Sequence, residues 1–165
     1  MRYTSEHLPE YAHRPGQTIH PNKSGGHSYM AEAPAERPLT AENFIIHQEY
    51  LFGVDLYNKG YFWEAHVYWE AAWNGSRRTG DAGNFLKGLI LLAAARLKWE
   101  VKQPKPALGH FKRSLELISE LDGDEQFGFK VSELVDDLQR LIDALSSSSD
   151  ELSIVQNHSL TLNVE

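Results

Sequence analysis

The sequence contains no cysteine in its 165 residues. This absence excludes a disulfide framework, a thiolate zinc site and a cysteine nucleophile, so any metal ion would have to be held by His, Asp or Glu. The sequence also lacks a long apolar run, because the longest one, residues 89–95, is too short to span a bilayer. No basic start followed by an apolar segment marks a signal peptide. We therefore expect a soluble, cytoplasmic protein without a membrane partner.

Positive charge is scarce, with 16 Lys and Arg against 23 Asp and Glu and a formal net charge of -7. Binding to a phosphate backbone requires a clustered basic face, and the basic residues here are scattered. We therefore do not expect a nucleic-acid partner. The sequence also has no glycine-rich phosphate loop, no Gly-x-Ser-x-Gly elbow and no His-Glu-x-x-His pair. Their absence lowers the expectation of an enzyme without excluding one.

Residues 1–39 hold five of the seven prolines and four of the eight histidines. Proline removes a backbone donor and favours an extended conformation in the residue before it, so regular helix is not expected here. Spaced apolar residues such as Tyr11, Ile19 and Tyr29 could hold the segment against a domain surface. We predict an extended arm that packs on the core.

Helical periodicity begins after the arm and predicts an all-α fold. Thr40 is the expected cap of the first helix, and Gly60, in a left-handed conformation, is expected to end it and reverse the chain. The predicted domains are the arm (1–39), a helical bundle (40–145), and a serine-rich link with a tail (146–165), the tail docking as an extended strand over 154–164. The predicted helices span residues 40–57, 61–73, 81–101, 106–121 and 131–145.

A faint internal repeat relates two parts of the predicted bundle. A shift of 44 positions places Ala65-His66 over Gly109-His110, each in the second helix of a helical hairpin. This pattern predicts a compact bundle of about five helices built from two tetratricopeptide-like hairpins. Gly88 within the third helix predicts close contact with an aromatic side chain of the second helix or, as an alternative, a pocket lined by the gap that the glycine leaves.

The second predicted helix carries the candidate site. His66 and Glu70 are four residues apart and therefore share one helical face. A buried carboxylate needs a partner, which leaves two interpretations. The pair forms a buried hydrogen-bonded network, or it binds a divalent metal together with His20 or His27 of the arm. The predicted pocket residues around the pair are Trp63, Trp69, Trp73, Glu64 and Lys87.

Two stretches of the sequence carry a family resemblance. The run from Leu56 to Trp73, which contains Gly60 and the Glu-Ala-His step at 64–66, is followed by Phe-Leu-Lys-Gly-Leu-Ile at 85–90. Together they resemble a bacterial family catalogued as domain of unknown function 309, over about residues 45–120, and the arm is similar to an extension in one branch of it. The resemblance implies a small all-helical bundle with no assigned activity. Where family members have a second Glu after the His, this chain has Val67.

Two hypotheses of function follow. The first is a non-catalytic helical binding module that receives a peptide, a protein partner or a second copy of itself. The second is a metal-dependent, hydrolase-like enzyme that uses His66 and Glu70 as catalytic residues or metal ligands, completed by His20 or His27. A His66→Ala protein that loses only thermal stability would favour the first hypothesis.

Overall fold

The computed structural model describes residues 1–147 and 152–164 and shows a packed helical protein, so the all-α prediction is confirmed. None of the helices in these two ranges is both long and apolar enough to cross a membrane. The regular elements are a 3-10 turn (Phe44–Ile46), α1 (Gln48–Asn58), α2 (Phe62–Gly75), α3 (Gly80–Glu100), α4 (Pro104–Ser119), β1 (Glu125–Gln126), β2 (Phe129–Lys130), α5 (Val131–Ser146) and α6 (Leu152–Asn157).

The start of the first helix differs from the prediction. Thr40 does not cap it, because the Thr40 backbone N–H is held in a turn by Asn43 Oδ1 at 2.8 Å. Helix α1 begins at Gln48, and the cap is His47, whose Nδ1 accepts a hydrogen bond from the Tyr50 N–H at 3.2 Å. The prediction was wrong because His47 supplies the capping acceptor, whereas N-terminal caps of helices are usually Ser, Thr, Asp or Asn.

The turn between α1 and α2 follows the prediction. Gly60 has φ +83°, the left-handed conformation that ends a helix, and the Tyr61 N–H donates to Leu56 O at 2.9 Å. A second glycine, Gly53, lets the two helices approach closely. A Cβ atom there would lie 2.2 Å from Nε1 of Trp69, a fully buried side chain that donates to Tyr50 O at 3.1 Å.

Gly88 of α3 does allow a close contact, but with a different helix from the one predicted. A Cβ atom at this position would lie 2.6 Å from Ile118 Cδ1 of α4, and Ser114 Oγ donates to Gly88 O at 2.7 Å. The partner is therefore an aliphatic side chain of α4 and not an aromatic side chain of α2. Successive helices from α1 to α6 pack on one another, and the tetratricopeptide-like repeat stays a prediction.

The C-terminal part differs from the predicted extended strand over 154–164. Its first half is helix α6, which buries Val155, and residues 158–164 after it form neither regular helix nor strand. Leu160 and Leu162 are buried in the core, and the Leu160 N–H donates to Asn58 Oδ1 at 2.7 Å. The short antiparallel pair β1 and β2 was not predicted. Of the predicted serine-rich link, residues 148–149 lie outside the described residues.

Candidate functional site

The arm is held on the bundle by two buried carboxylates, and Asp55 of α1 holds its first residues. Asp55 is 1% exposed and accepts three hydrogen bonds from the arm. The donors are the Tyr3 N–H at 2.7 Å, the Thr4 N–H at 2.8 Å and the Thr4 hydroxyl at 2.7 Å. Both oxygens of this carboxylate are therefore satisfied.

The second carboxylate is Glu64, in the first turn of α2. Its Oε1 accepts from the His13 N–H and from His27 Nε2, each at 2.8 Å. The side chains of His27 and Glu64 are each only 3% exposed. Because an ionised carboxylate only accepts, Nε2 of His27 carries the proton in this contact. The other oxygen, Glu64 Oε2, is buried and has no hydrogen-bond partner.

An aromatic cluster surrounds this hydrogen-bonded pair. The imidazole rings of His13 and His20 lie 5.2 and 5.4 Å from the Trp63 ring, centroid to centroid, and 5.3 Å from each other. Burial lowers the pKa of His13 below its ordinary value, and the neighbouring His20 lowers it further, while the Glu64 charge acts in the opposite direction. The cluster therefore favours neutral His13.

The predicted pair His66 and Glu70 lies closer to solvent than expected. Nε2 of His66 is 3.5 Å from Oε2 of Glu70, and the two side chains are 31% and 45% exposed. Nδ1 of His66 lies 3.0 Å from Trp63 O. The prediction that this pair forms the buried network is wrong, because another face of α2 enters the core. That core face consists of Phe62, Ala65, Trp69 and Ala72.

Between the arm and α2 lies a cavity of about 580 Å³, which we call the arm cavity. Its arm side includes residues from Pro9 to Pro34, and its helix side runs from Trp63 to Glu70. Six of the residues predicted for the site line it: His20, His27, Trp63, Glu64, His66 and Glu70. The buried pair within this wall is His27 with Glu64, a pairing that the sequence reasoning missed.

Three other predicted pocket residues lie away from the arm cavity. Trp69 is a core residue with no exposed surface. Trp73 packs against cations, with Lys87 Nζ 4.6 Å and the Arg78 guanidinium 4.5 Å from the centroid of its ring system. Lys87 therefore makes a cation–π contact with Trp73 and does not face the carboxylates of the arm cavity.

The predicted metal ligands do not come together as a group. Within residues 1–147 and 152–164, no set of three or more His, Asp or Glu is arranged to hold a metal ion. His27 meets Glu64 and not the pair His66 and Glu70. His20 packs edge-on against Trp63. The divalent metal stays a prediction that rests on the His66 and Glu70 pair.

Comparison with the curated proteins finds no match for this chain. Comparison with protein-family models matches residues 50–109, which run from α1 into α4 and carry the helix side of the arm cavity. The arm itself lies outside the matched range. The resemblance identified in the sequence is confirmed: the model that residues 50–109 match is that of the family described as a domain of unknown function (DUF309).

Proposed function

We propose that the protein is a helical binding module and that the arm cavity is its ligand site. The observation that carries the proposal is Glu64, a buried carboxylate at the wall of the cavity whose Oε2 has no hydrogen-bond partner. A charged oxygen that is removed from water and left unpaired costs free energy, so such atoms are uncommon in folded proteins. A ligand that donates a hydrogen bond to Oε2 would recover that energy.

Other unpaired atoms in the described residues have a different setting. They are Glu49 Oε2, Arg96 Nε and His158 Nε2, and none of these residues lines the arm cavity. The Glu49 carboxylate lies 3.3 Å from the Arg37 guanidinium through its other oxygen, and His158 Nε2 lies 3.6 Å from an oxygen of Asp137. Glu64 differs because its unpaired oxygen belongs to a side chain that borders open volume.

The size and the walls of the cavity fit a small molecule. Sites for small ligands typically measure about 300–1,000 Å³ and combine apolar walls with a few polar groups. The arm cavity has the indole of Trp63 and the side chain of Val67 on the helix side and Met30 on the arm side. These apolar groups would hold the body of a ligand while Glu64 fixes its polar end.

Catalysis has weaker support than binding. A hydrolytic metal site needs three or four ligands, and within the described residues the pairs His66–Glu70 and His27–Glu64 do not combine into a set of three. The pair is partly exposed, so an ordinary solvated interaction between neighbouring turns accounts for it. A binding site requires no more than the cavity and its walls.

A blocking substitution tests the proposal. Val67→Trp places an indole in the arm cavity, and Val135→Trp on α5 makes the same change at another half-buried position. A fragment library is screened by NMR for compounds that shift the Trp63 indole and His27 signals. We expect Val67→Trp to abolish these shifts and Val135→Trp to keep them. Unchanged binding in a folded Val67→Trp protein, or a library without any such compound, would overturn the proposal.

A further inference from the structure

We infer that the arm cavity selects a small organic cation, a primary ammonium group on a short apolar or aromatic body. This inference rests on the proposed function and names the ligand class. It starts from the charge of the lining, which contains three carboxylates (Glu32, Glu64 and Glu70) and neither lysine nor arginine. An ammonium group is the complement of such a wall.

Of the three carboxylates, the buried one, Glu64, fixes where the ammonium group of the ligand would bind. Glu64 Oε1 is already used by the arm, whereas Oε2 keeps its full capacity to accept hydrogen bonds. A desolvated carboxylate interacts more strongly with an N⁺–H donor than with a neutral one, because the hydrogen bond is charge-assisted. An ammonium group at Oε2 would therefore satisfy the acceptor and compensate the charge together.

The imidazoles of the wall do not replace such a cation. His27 Nε2 donates to Glu64 Oε1, and His27 Nδ1 accepts from the Ser28 hydroxyl at 2.7 Å. Both ring nitrogens of His27 are therefore hydrogen-bonded within the wall. His20 packs its ring edge-on against Trp63. His66 points one nitrogen at Trp63 O and the other at Glu70. None of these contacts involves Glu64 Oε2.

The aromatic wall favours the same ligand class. Trp63 and Tyr68 line the cavity on the helix side, and indole rings attract organic cations through their electron-rich faces. Both rings would also cover the apolar body of the ligand. An anionic ligand of equal size would meet three carboxylates and lose the contact with Oε2.

Three probes of nearly equal size test the inference: 2-phenylethylammonium, 2-phenylethanol and phenylacetate. Binding is measured by calorimetry and by NMR shifts at the Trp63 indole, at about pH 8, where ordinary imidazole is neutral. We expect the ammonium probe to bind about tenfold or more tightly than the alcohol, because a hydrogen bond to a charged group contributes more than a neutral one. We expect no binding of phenylacetate.

Variants assign the effect to Glu64. In Glu64→Gln the amide oxygen still accepts from the arm, but an NH₂ group replaces Oε2, so the ammonium probe should lose about tenfold or more in affinity. Glu70→Gln, on the partly exposed side of the cavity, should lose about two- to threefold. Glu120→Gln, an exposed position after α4, is the control and should leave the affinity unchanged.

The outcomes separate this inference from the proposed function. If the alcohol or the acid shifts the Trp63 signal as strongly as the ammonium probe, the cavity binds ligands but the cation selectivity is refuted. The same conclusion follows if Glu64→Gln and Glu120→Gln bind the ammonium probe equally well. If no probe shifts the signal and the fragment screen is also empty, both the inference and the proposed function fail. Should Glu64→Gln not fold, Glu70→Gln and the probe series still decide the matter.

Discussion

Removal of the Asp55 side chain should detach the first residues of the arm and leave its middle docked. Asp55→Ala deletes the acceptor of three hydrogen bonds, of 2.7, 2.8 and 2.7 Å, at a site that is 1% exposed. A hydrogen bond to a charged group contributes about 1.5–3 kcal/mol, so three of them set an upper limit of about 4.5–9 kcal/mol. The released donors of Tyr3 and Thr4 regain water and the freed chain regains entropy, so we expect a loss of about 2–4 kcal/mol.

Two measurements check this expectation. The first is the free energy of unfolding in urea, compared with that of Asp136→Ala, which removes an exposed carboxylate from α5. The second is amide hydrogen exchange, in which Tyr3 and Thr4 should lose protection. The His13 amide should keep its protection, because it donates to Glu64 at 2.8 Å.

Two results would refute this reasoning. One is a free energy of unfolding for Asp55→Ala within about 0.5 kcal/mol of the value for Asp136→Ala, the range typical of surface substitutions. The other is unchanged exchange at the Tyr3 and Thr4 amides, which would mean that other contacts hold the start of the arm. The Tyr3 hydroxyl, which accepts from the Leu162 N–H at 2.9 Å, is the first such contact to consider.

Three further changes have defined outcomes. Gly53→Ala puts a methyl group 2.2 Å from Trp69 Nε1 and should destabilise the protein by about 3 kcal/mol or more in urea unfolding. The control Gly109→Ala, with open space around it, should stabilise the protein by about 0.5–1 kcal/mol. Equal effects of the two substitutions would contradict the packing of α1 on α2. Burial raises the pKa of Tyr57 to about 12, so the stability that this group contributes is complete below pH 10 and is lost as the pH rises towards 12. In Tyr57→Phe, the free energy of unfolding should therefore fall less steeply with pH above pH 10. His66→Ala should change the free energy of unfolding by less than about 0.5 kcal/mol, because the contact with Glu70 is partly exposed, and a large loss would show that the contact is structural.

The helices could be predicted because their signal is local. Helices α2 to α5 lie within two residues of the predicted bounds, since apolar periodicity and breakers such as Gly60 and Pro104 act over a few residues. The start of α1 was missed because Thr40 and His47 both offer a capping acceptor, and only the folded chain shows which one is used. The short strands β1 and β2 have too few residues for a periodic pattern.

The contacts of the arm could not be predicted in the same way, because they are non-local. Asp55 and Glu64 bind residues about fifty positions earlier in the chain, and no periodicity records such pairs. A signal did exist in the sequence: Asp55 stands between Val54 and Leu56, inside an apolar stretch where a carboxylate needs partners from elsewhere. The same reasoning applies to Glu64, and it predicts Glu64, not Glu70, as the carboxylate that the arm covers.

The two buried carboxylates differ in how completely the arm satisfies them, and this difference bears on the function of the arm cavity. The arm satisfies both oxygens of Asp55 and only one oxygen of Glu64. Two side chains with N–H donors, Asn22 and His20, line the cavity, yet neither donates to Oε2. An arm that closed the cavity only for stability would be expected to use one of them, because an unpaired buried acceptor lowers the free energy of unfolding. The unpaired oxygen is better explained as an acceptor kept for a ligand, which would stabilise the docked arm when it binds.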